Sequence, residues 1–339
     1  MSTLSKLIHR FIRHTRVFSI RYALIEVLVV LDRIRWKNIP YAKMSHFLLN
    51  QKSKFILCWC RQYFSEEIAK YQNYSAERAT NSTQKIWVCW LQGISNAPEV
   101  VRLCTKSITK HSNQREVILL DWSNIPQYCA LPKYILDKYK NGIISAQQFT
   151  DILRVNILEK YGGLWVDATV LVTKEIPETV FKLPVFNVKG INPNFKHAYA
   201  VIDSTQYQSY LIASCPHSVT YSFLNECILK YWKEHDTLVD YFLLFYIAKI
   251  AREEIPGAMS EFNKVPNNNE LCEILGDVCA KGIPFRRTAL DFFAKNSTWA
   301  YKLSWKDQYP VRTRDGSPTV WGYIIDQDYN RKYEENFVY

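Results

Sequence analysis

Along residues 1–80 the apolar positions recur at helical spacing. Leu4, Leu7, Ile8, Phe11 and Ile12 repeat turn by turn while Lys6, Arg10, Arg13 and Arg16 supply a basic face, so this stretch predicts basic amphipathic helices. The polar stretch "AERATNSTQ", 76–84, breaks the pattern, and beyond it the period changes. "KIWVCW" (85–90) and "EVILLD" (116–121) are short apolar runs that read as buried strands. Between them "APEVVRLCTKSITKHS" reads as a helix with Pro98 in its first turn. Strand alternating with helix implies a largely parallel sheet covered on both faces.

The best-defined helix is "SAQQFTDILRVNILEKYGG", 145–163. Ser145, with Gln148 three residues on, predicts a capping box, and Gly162 supplies the left-handed residue that stops the helix. Phe149, Ile152, Leu153, Ile157 and Leu158 mark its core stripe, and Asp151 and Arg154 project from one side. "LWVDATVLVT" then predicts a single central strand running to residue 173. Past about residue 215 the pattern is mostly helical, as in "SFLNECILKYWKEH" and "DYFLLFYIAKIARE". Two units are therefore expected, a basic helical segment over 1–80 and an α/β domain over 81–339 whose C-terminal part is mostly helical.

With 339 residues, 48% of them hydrophobic, the chain can bury a large core. Its formal charge of +11 is uneven: residues 1–80 hold fourteen Lys or Arg against five Asp or Glu. Basic amphipathic helices suit an anionic membrane surface, at roughly 1 kcal/mol per Lys or Arg. They also suit nucleic acid, but no nucleic-acid-binding motif accompanies them and none is expected as partner. The most apolar run, "YALIEVLVVLD" (22–32), contains Glu26 and is shorter than the roughly 20 residues of a membrane span, so neither a transmembrane helix nor an export signal is expected. Nine cysteines without a Cys-x-x-Cys pair argue against a disulfide framework or structural zinc and suit a reducing cytosol.

An ionised aspartate in a buried strand is costly unless it is paired, hydrogen-bonded or bound to a cation. Asp167 is therefore expected at the strand's carboxyl end, where open parallel sheets bind ligands. The two-glycine turn brings Asp151 and Arg154 to the same place. Three charges converging there suggest a ligand rich in hydroxyls and phosphates, the bland alternative being a surface ion pair beside a turn-capping Asp167. "DQD", 326–328, lies in a polar tail and reads as a loop, and Asp240, opening an aromatic helix, reads first as a cap.

"KIWVCWLQGISNAPEVV", "SAQQFTDILRVNILEKYGGLWVDATV" and "YKLSWK" together resemble the bacterial capsular polysaccharide synthesis glycosyltransferases, a group similar to glycosyltransferase family 32. The resemblance covers roughly residues 84 to 310. It implies a GT-A fold, Rossmann-like, with a mostly parallel sheet, here carrying an N-terminal helical appendage. It further implies transfer of a hexose from a nucleoside diphosphate sugar, UDP-sugar favoured, to a cell-surface polysaccharide or lipid-linked intermediate, with retention, at the inner face of the cell membrane. Under it Trp90 matches the residue that stacks on the base, Asp151 and Arg154 those that hold ribose and sugar hydroxyls, and Gly162 and Gly163 the turn into the site. Asp167 matches the first acid of a DXD motif. Where the second acid would stand the sequence has Thr169, a weak neutral ligand, so Mn²⁺ or Mg²⁺ on Asp167 is left open. Lys302, Ser304 and Trp305 match the diphosphate-contacting region, and Lys302 can stabilise leaving-group charge directly. Asp240 matches a position of acceptor or supporting function. The missing acid also admits a non-catalytic nucleotide-sugar-binding scaffold, the basic N-terminus a nucleic-acid-associated protein, and the scaffold itself a phosphosugar transferase.

Overall fold

The computed structural model describes residues 3–35, 43–74, 84–193, 202–286, 288 and 296–326. The expected joint between the two units, near residue 80, and the last two residues of the "DQD" triplet lie outside the described residues.

The N-terminal pattern forms four helices, Thr3–Val17 (α1), Ile20–Arg35 (α2), Lys43–Tyr63 (α3) and Ser65–Tyr71 (α4). The alternating part follows as Ile86–Cys89 (β1), Glu99–Lys110 (α5), Val117–Leu120 (β2), Ile125–Tyr128 (α6), Lys133–Lys140 (α7), Ala146–Tyr161 (α8), Gly163–Val166 (β3), Val170–Val172 (β4), Thr179–Lys182 (α9), Val185–Asn187 (β5) and Leu211–Ser214 (β6). Val219–Glu234 (α10), Leu243–Glu254 (α11), Pro256–Asn263 (α12), Ile274–Ala280 (α13) and Ala300–Lys302 (β7) complete it.

The main sheet has the order β2-β1-β3-β6-β5. β1 pairs in parallel with β2 and β3, and β6 runs against both β3 and β5, so one direction dominates and only β6 opposes it. That is the mostly parallel α/β arrangement the sequence predicts. Its strands are buried throughout β1, β3, β5 and β6, as a sheet flanked by helices requires.

"LWVDATVLVT" is not one strand. β3 ends at Val166, the Val170 N–H closes a turn onto the Asp167 carbonyl at 2.9 Å, and the chain re-enters as β4 in a separate two-stranded sheet with β7. Both halves are apolar because both are buried, one in each sheet, which is why periodicity alone joins them.

α8 forms as its sequence dictates. Ser145 caps it, its Oγ accepting the Gln148 N–H at 3.4 Å, and Gly162 and Gly163 take φ of 66° and 90° beyond its last turn. A Cβ on Gly162 would lie 2.6 Å from the Ser214 carbonyl oxygen, so the close turn from helix to strand demands glycine there.

The N-terminal helices share the core of the α/β part. Tyr22, Ile56, Cys60, Phe64 and Tyr71 belong to the same buried cluster as Trp87, Trp165 and Trp232. α3 packs on α11, and α4 on α10. No described helix is long and apolar enough to cross a membrane.

Candidate active site

The site is built where β3 stops. Strand direction puts Asp167 at the carboxyl end of β3, its backbone N–H donating to the Tyr210 carbonyl at 2.8 Å just before β6. One carboxylate oxygen, Oδ1, accepts the Trp165 indole N–H at 3.0 Å and lies 3.4 Å from the Arg154 guanidinium. The other, Oδ2, accepts the Lys302 ammonium at 3.0 Å. Lys302 also donates to Thr169 Oγ1 at 2.7 Å and lies over the Tyr210 ring, 5.2 Å from its centroid.

Arg154 reaches the site from α8 and is buried. It donates to the Ser209 carbonyl at 2.6 Å and the Thr150 carbonyl at 3.2 Å, lies over the Trp165 ring at 5.3 Å, and sits 3.4 Å from Asp151 Oδ1. These contacts hold the guanidinium between two carboxylates.

The two acids respond in opposite directions. Burial raises the Asp167 carboxyl, but the Lys302 and Arg154 charges, with the Trp165 and Lys302 hydrogen bonds, outweigh it and hold the group at about 2. Burial also raises Asp151, Arg154 lowers it and the Asp167 charge raises it again, leaving it at about 6. Asp167 is thus held ionised at neutral pH, while Asp151 is raised toward neutrality.

These residues line a cavity of about 490 Å³. Its lining carries the cations Arg154, Lys302 and Lys306, the first two paired with Asp151 and Asp167. Another part of the lining carries Glu273, Asp277 and Asp307, and aromatic sides come from Tyr241 and Phe242. The capsular polysaccharide synthesis protein family matches residues 35–317, most of the chain, and its span takes in α3 and α4.

The chain belongs to that family.

Membership in this family bears out the resemblance to capsular polysaccharide synthesis proteins drawn from the sequence, and the mostly parallel α/β sheet agrees with the fold class that the resemblance implies. No curated protein matches. Among solved structures, the "PaToxG Glycosyltransferase" is similar at 15% identity and a TM-score of 0.36, over 65% of this chain and 83% of that one. A "WbbM bifunctional glycosytransferase" in its apo form is similar at 12% identity and a TM-score of 0.40, over 75% of this chain and 51% of that one, so this family member spans about half its length.

Of the residues singled out in the sequence, Asp151, Arg154, Asp167, Lys302 and Ser304 line the cavity. Thr169 is buried behind it as the second acceptor of Lys302. Trp90 follows β1 at the same sheet end as Asp167 and packs edge-on against the half-exposed Trp305, ring centroids 5.8 Å apart. Its indole N–H is buried without a hydrogen-bond partner among the described residues. Gly163 stands at the amino end of β3, paired with Ser214, and serves the turn rather than the cavity.

Asp240 does not reach the cavity either. One oxygen caps the next turn through the Phe242 N–H at 2.8 Å, and the other meets Lys52 at 2.6 Å. Its neighbours Tyr241 and Phe242 do line the cavity. They, Tyr210, Glu273, Asp277 and Asp307 were not anticipated, since they arrive from segments that carry no motif.

A divalent cation does not fit the Asp167–Thr169 pair as it stands. Both Asp167 oxygens face cationic donors, and the Thr169 hydroxyl is engaged by Lys302. A metal bound there would lie against two positive charges with one carboxylate to hold it, whereas hard cations require several oxygen ligands. The Lys302 ammonium already fills that role toward both side chains.

Proposed function

We propose that this family member is a hexosyltransferase that moves a hexose from a nucleoside diphosphate sugar, UDP-sugar preferred, to a capsular or related cell-surface polysaccharide or its lipid-linked intermediate. The transfer retains configuration and takes place in the cytoplasm at the inner face of the cell membrane. The observation that carries the reading is one cavity whose lining holds Arg154 and Lys302 next to several carboxylates, the groups that diphosphate and sugar hydroxyls require.

In such a transfer the bond from the anomeric carbon to the diphosphate oxygen breaks, and its electron pair leaves with the diphosphate. A bond to an acceptor hydroxyl oxygen forms, and that hydroxyl's proton passes to the departing diphosphate oxygen. Lys302 stabilises the charge gathering on the departing diphosphate, an interaction worth most in a site shielded from water. Arg154 and Asp151 hold ribose and sugar hydroxyls, Asp167 positions both cations, and Ser304 adds a hydroxyl at the diphosphate end. Trp90 and Trp305 offer the nucleotide base an aromatic wall, with the unpartnered Trp90 N–H as a donor.

The test is nucleotide release from a panel of UDP- and GDP-sugars by the purified full chain, with Mn²⁺ and with EDTA. Release of one nucleotide supports the reading. A non-catalytic nucleotide-sugar-binding scaffold competes with it, favoured by the engagement of both Asp167 oxygens within the chain. Binding of a donor without release, even with lipid-linked acceptor present, would select the scaffold.

A further inference from the structure

α1 and α2 form an antiparallel hairpin whose facing side chains are Leu7, Phe11 and His14 on one helix and Ala23, Val27 and Val30 on the other. In two antiparallel right-handed helices, the residues one position beyond each facing residue turn to the same side of the pair. Here those positions include Ile8 and Ile12 on α1 and Leu24, Leu28 and Leu31 on α2, with Ile20 one turn earlier. All six are between 42% and 60% exposed. The opposite side of α2 is turned inward, since Tyr22, Glu26 and Val29 are buried.

An aliphatic stripe of six half-exposed side chains on one side of a helical hairpin is more than scattered surface apolarity. It is flanked by charge of a single sign. Arg13, Arg16 and Arg21 are exposed, and the two acids of residues 3–35 are withdrawn from the face: Glu26 is buried against Arg10 and Lys52, and Asp32 accepts the Ser45 hydroxyl.

We infer that this side of the hairpin docks on an anionic bilayer, the aliphatic stripe entering the headgroup boundary and the arginines meeting lipid phosphates. No described helix can cross a membrane, so the hairpin lies in the surface plane. Charge decides against a second copy of the chain as occupant: an isologous contact sets each copy's arginines opposite the other's, with no exposed carboxylate on this side to pair them. The inference supplies the attachment that the proposed lipid-linked acceptor calls for, yet it stands on the hairpin alone.

Flotation of the full-length protein with vesicles tests it. Binding is expected to vesicles of equal phosphatidylcholine and phosphatidylglycerol and not to phosphatidylcholine alone. The L24Q/L28Q and R13Q/R16Q/R21Q variants, all at exposed positions, are each expected to lose binding about tenfold or more. Failure of the unmodified protein to float, or undiminished binding by L24Q/L28Q, overturns the proposal. So does a dimer that L24Q/L28Q converts to monomer without vesicle binding, or capture of duplex DNA or RNA in place of vesicles. Nucleotide release by the same preparations in vesicle-free solution is expected to be unchanged in both variants, so loss of docking and loss of the transferase reading give different results.

Discussion

The Lys302 ammonium, carried on β7 of the two-stranded sheet, lies 3.0 Å from Oδ2 of Asp167 at the end of β3 in the main sheet. A single ion pair thus closes the site across two sheets. Asp167 gains from it the ionised state that burial opposes, and Lys302 is held at the cavity wall.

Lys302→Met keeps the length of the side chain and removes its charge. Nucleotide release is expected to fall about 100-fold or more, the scale of losing one preorganised charge-stabilising donor. Full activity in this variant would remove Lys302 from the chemistry.

Because Lys302 stands in the place of a cation between Asp167 and Thr169, release by the native protein is expected to be equal in Mn²⁺ and in EDTA. Activity restored only by Mn²⁺ or Mg²⁺ after chelation would show that the ion pair opens to admit a metal.

Asp167→Asn preserves shape and loses the charge that Arg154 and Lys302 share. Transfer is expected to be lost by about 100-fold or more, with the circular dichroism spectrum unchanged. Retained transfer would displace the donor site from this end of the sheet.

Asp151 titrates near 6 and Asp167 near 2. The ionised fraction of Asp151 therefore rises as pH climbs through about 6, while Asp167 is charged on both sides of that value. If ionised Asp151 holds the donor, kcat/KM is expected to rise across this window, and Asp151→Asn should abolish that limb while lowering kcat/KM at pH 8. A limb that persists in the variant belongs to another group.

Lys52 lies 2.6 Å from Asp240 and also pairs with Glu26, all three largely buried. Replacing Lys52 by Met leaves two carboxylates without their shared cation, and is expected to lower stability by about 3 kcal/mol or more, read by urea unfolding. A variant as stable as the parent would mean that the network contributes no net energy.

Much of the site is written locally. Ser145, Gln148 and Gly162 bound α8, and that helix with its two-glycine turn fixes the meeting of Asp151, Arg154 and Asp167. The break after Asp167 is not written locally, because Val170–Val172 is as buried as Gly163–Val166 and pattern reports burial, not which sheet provides it. The partner of Asp240 is Lys52, far back in the chain, so its own neighbourhood shows only a helix cap. The same reason hides more of the cavity's lining: Glu273 and Asp277 become neighbours of Lys302 only when α13 packs on β7, with the Lys302 N–H donating to the Cys272 carbonyl at 2.7 Å. The N-terminal helices read correctly as helices, but periodicity does not say that their apolar faces belong to the main core.

That shared core determines where the chain can be shortened. Tyr22 donates to the Val239 carbonyl and stacks on Phe55 at 4.8 Å, and Lys52 reaches Asp240 immediately before the cavity residues Tyr241 and Phe242. A fragment starting at the first strand would strip the cover from α10 and α11 and leave Asp240 without its counter-charge. The N-terminal helices therefore serve as part of the cavity's own support, and a truncation ahead of the sheet removes the Tyr22 and Lys52 contacts that hold the segment carrying Tyr241 and Phe242.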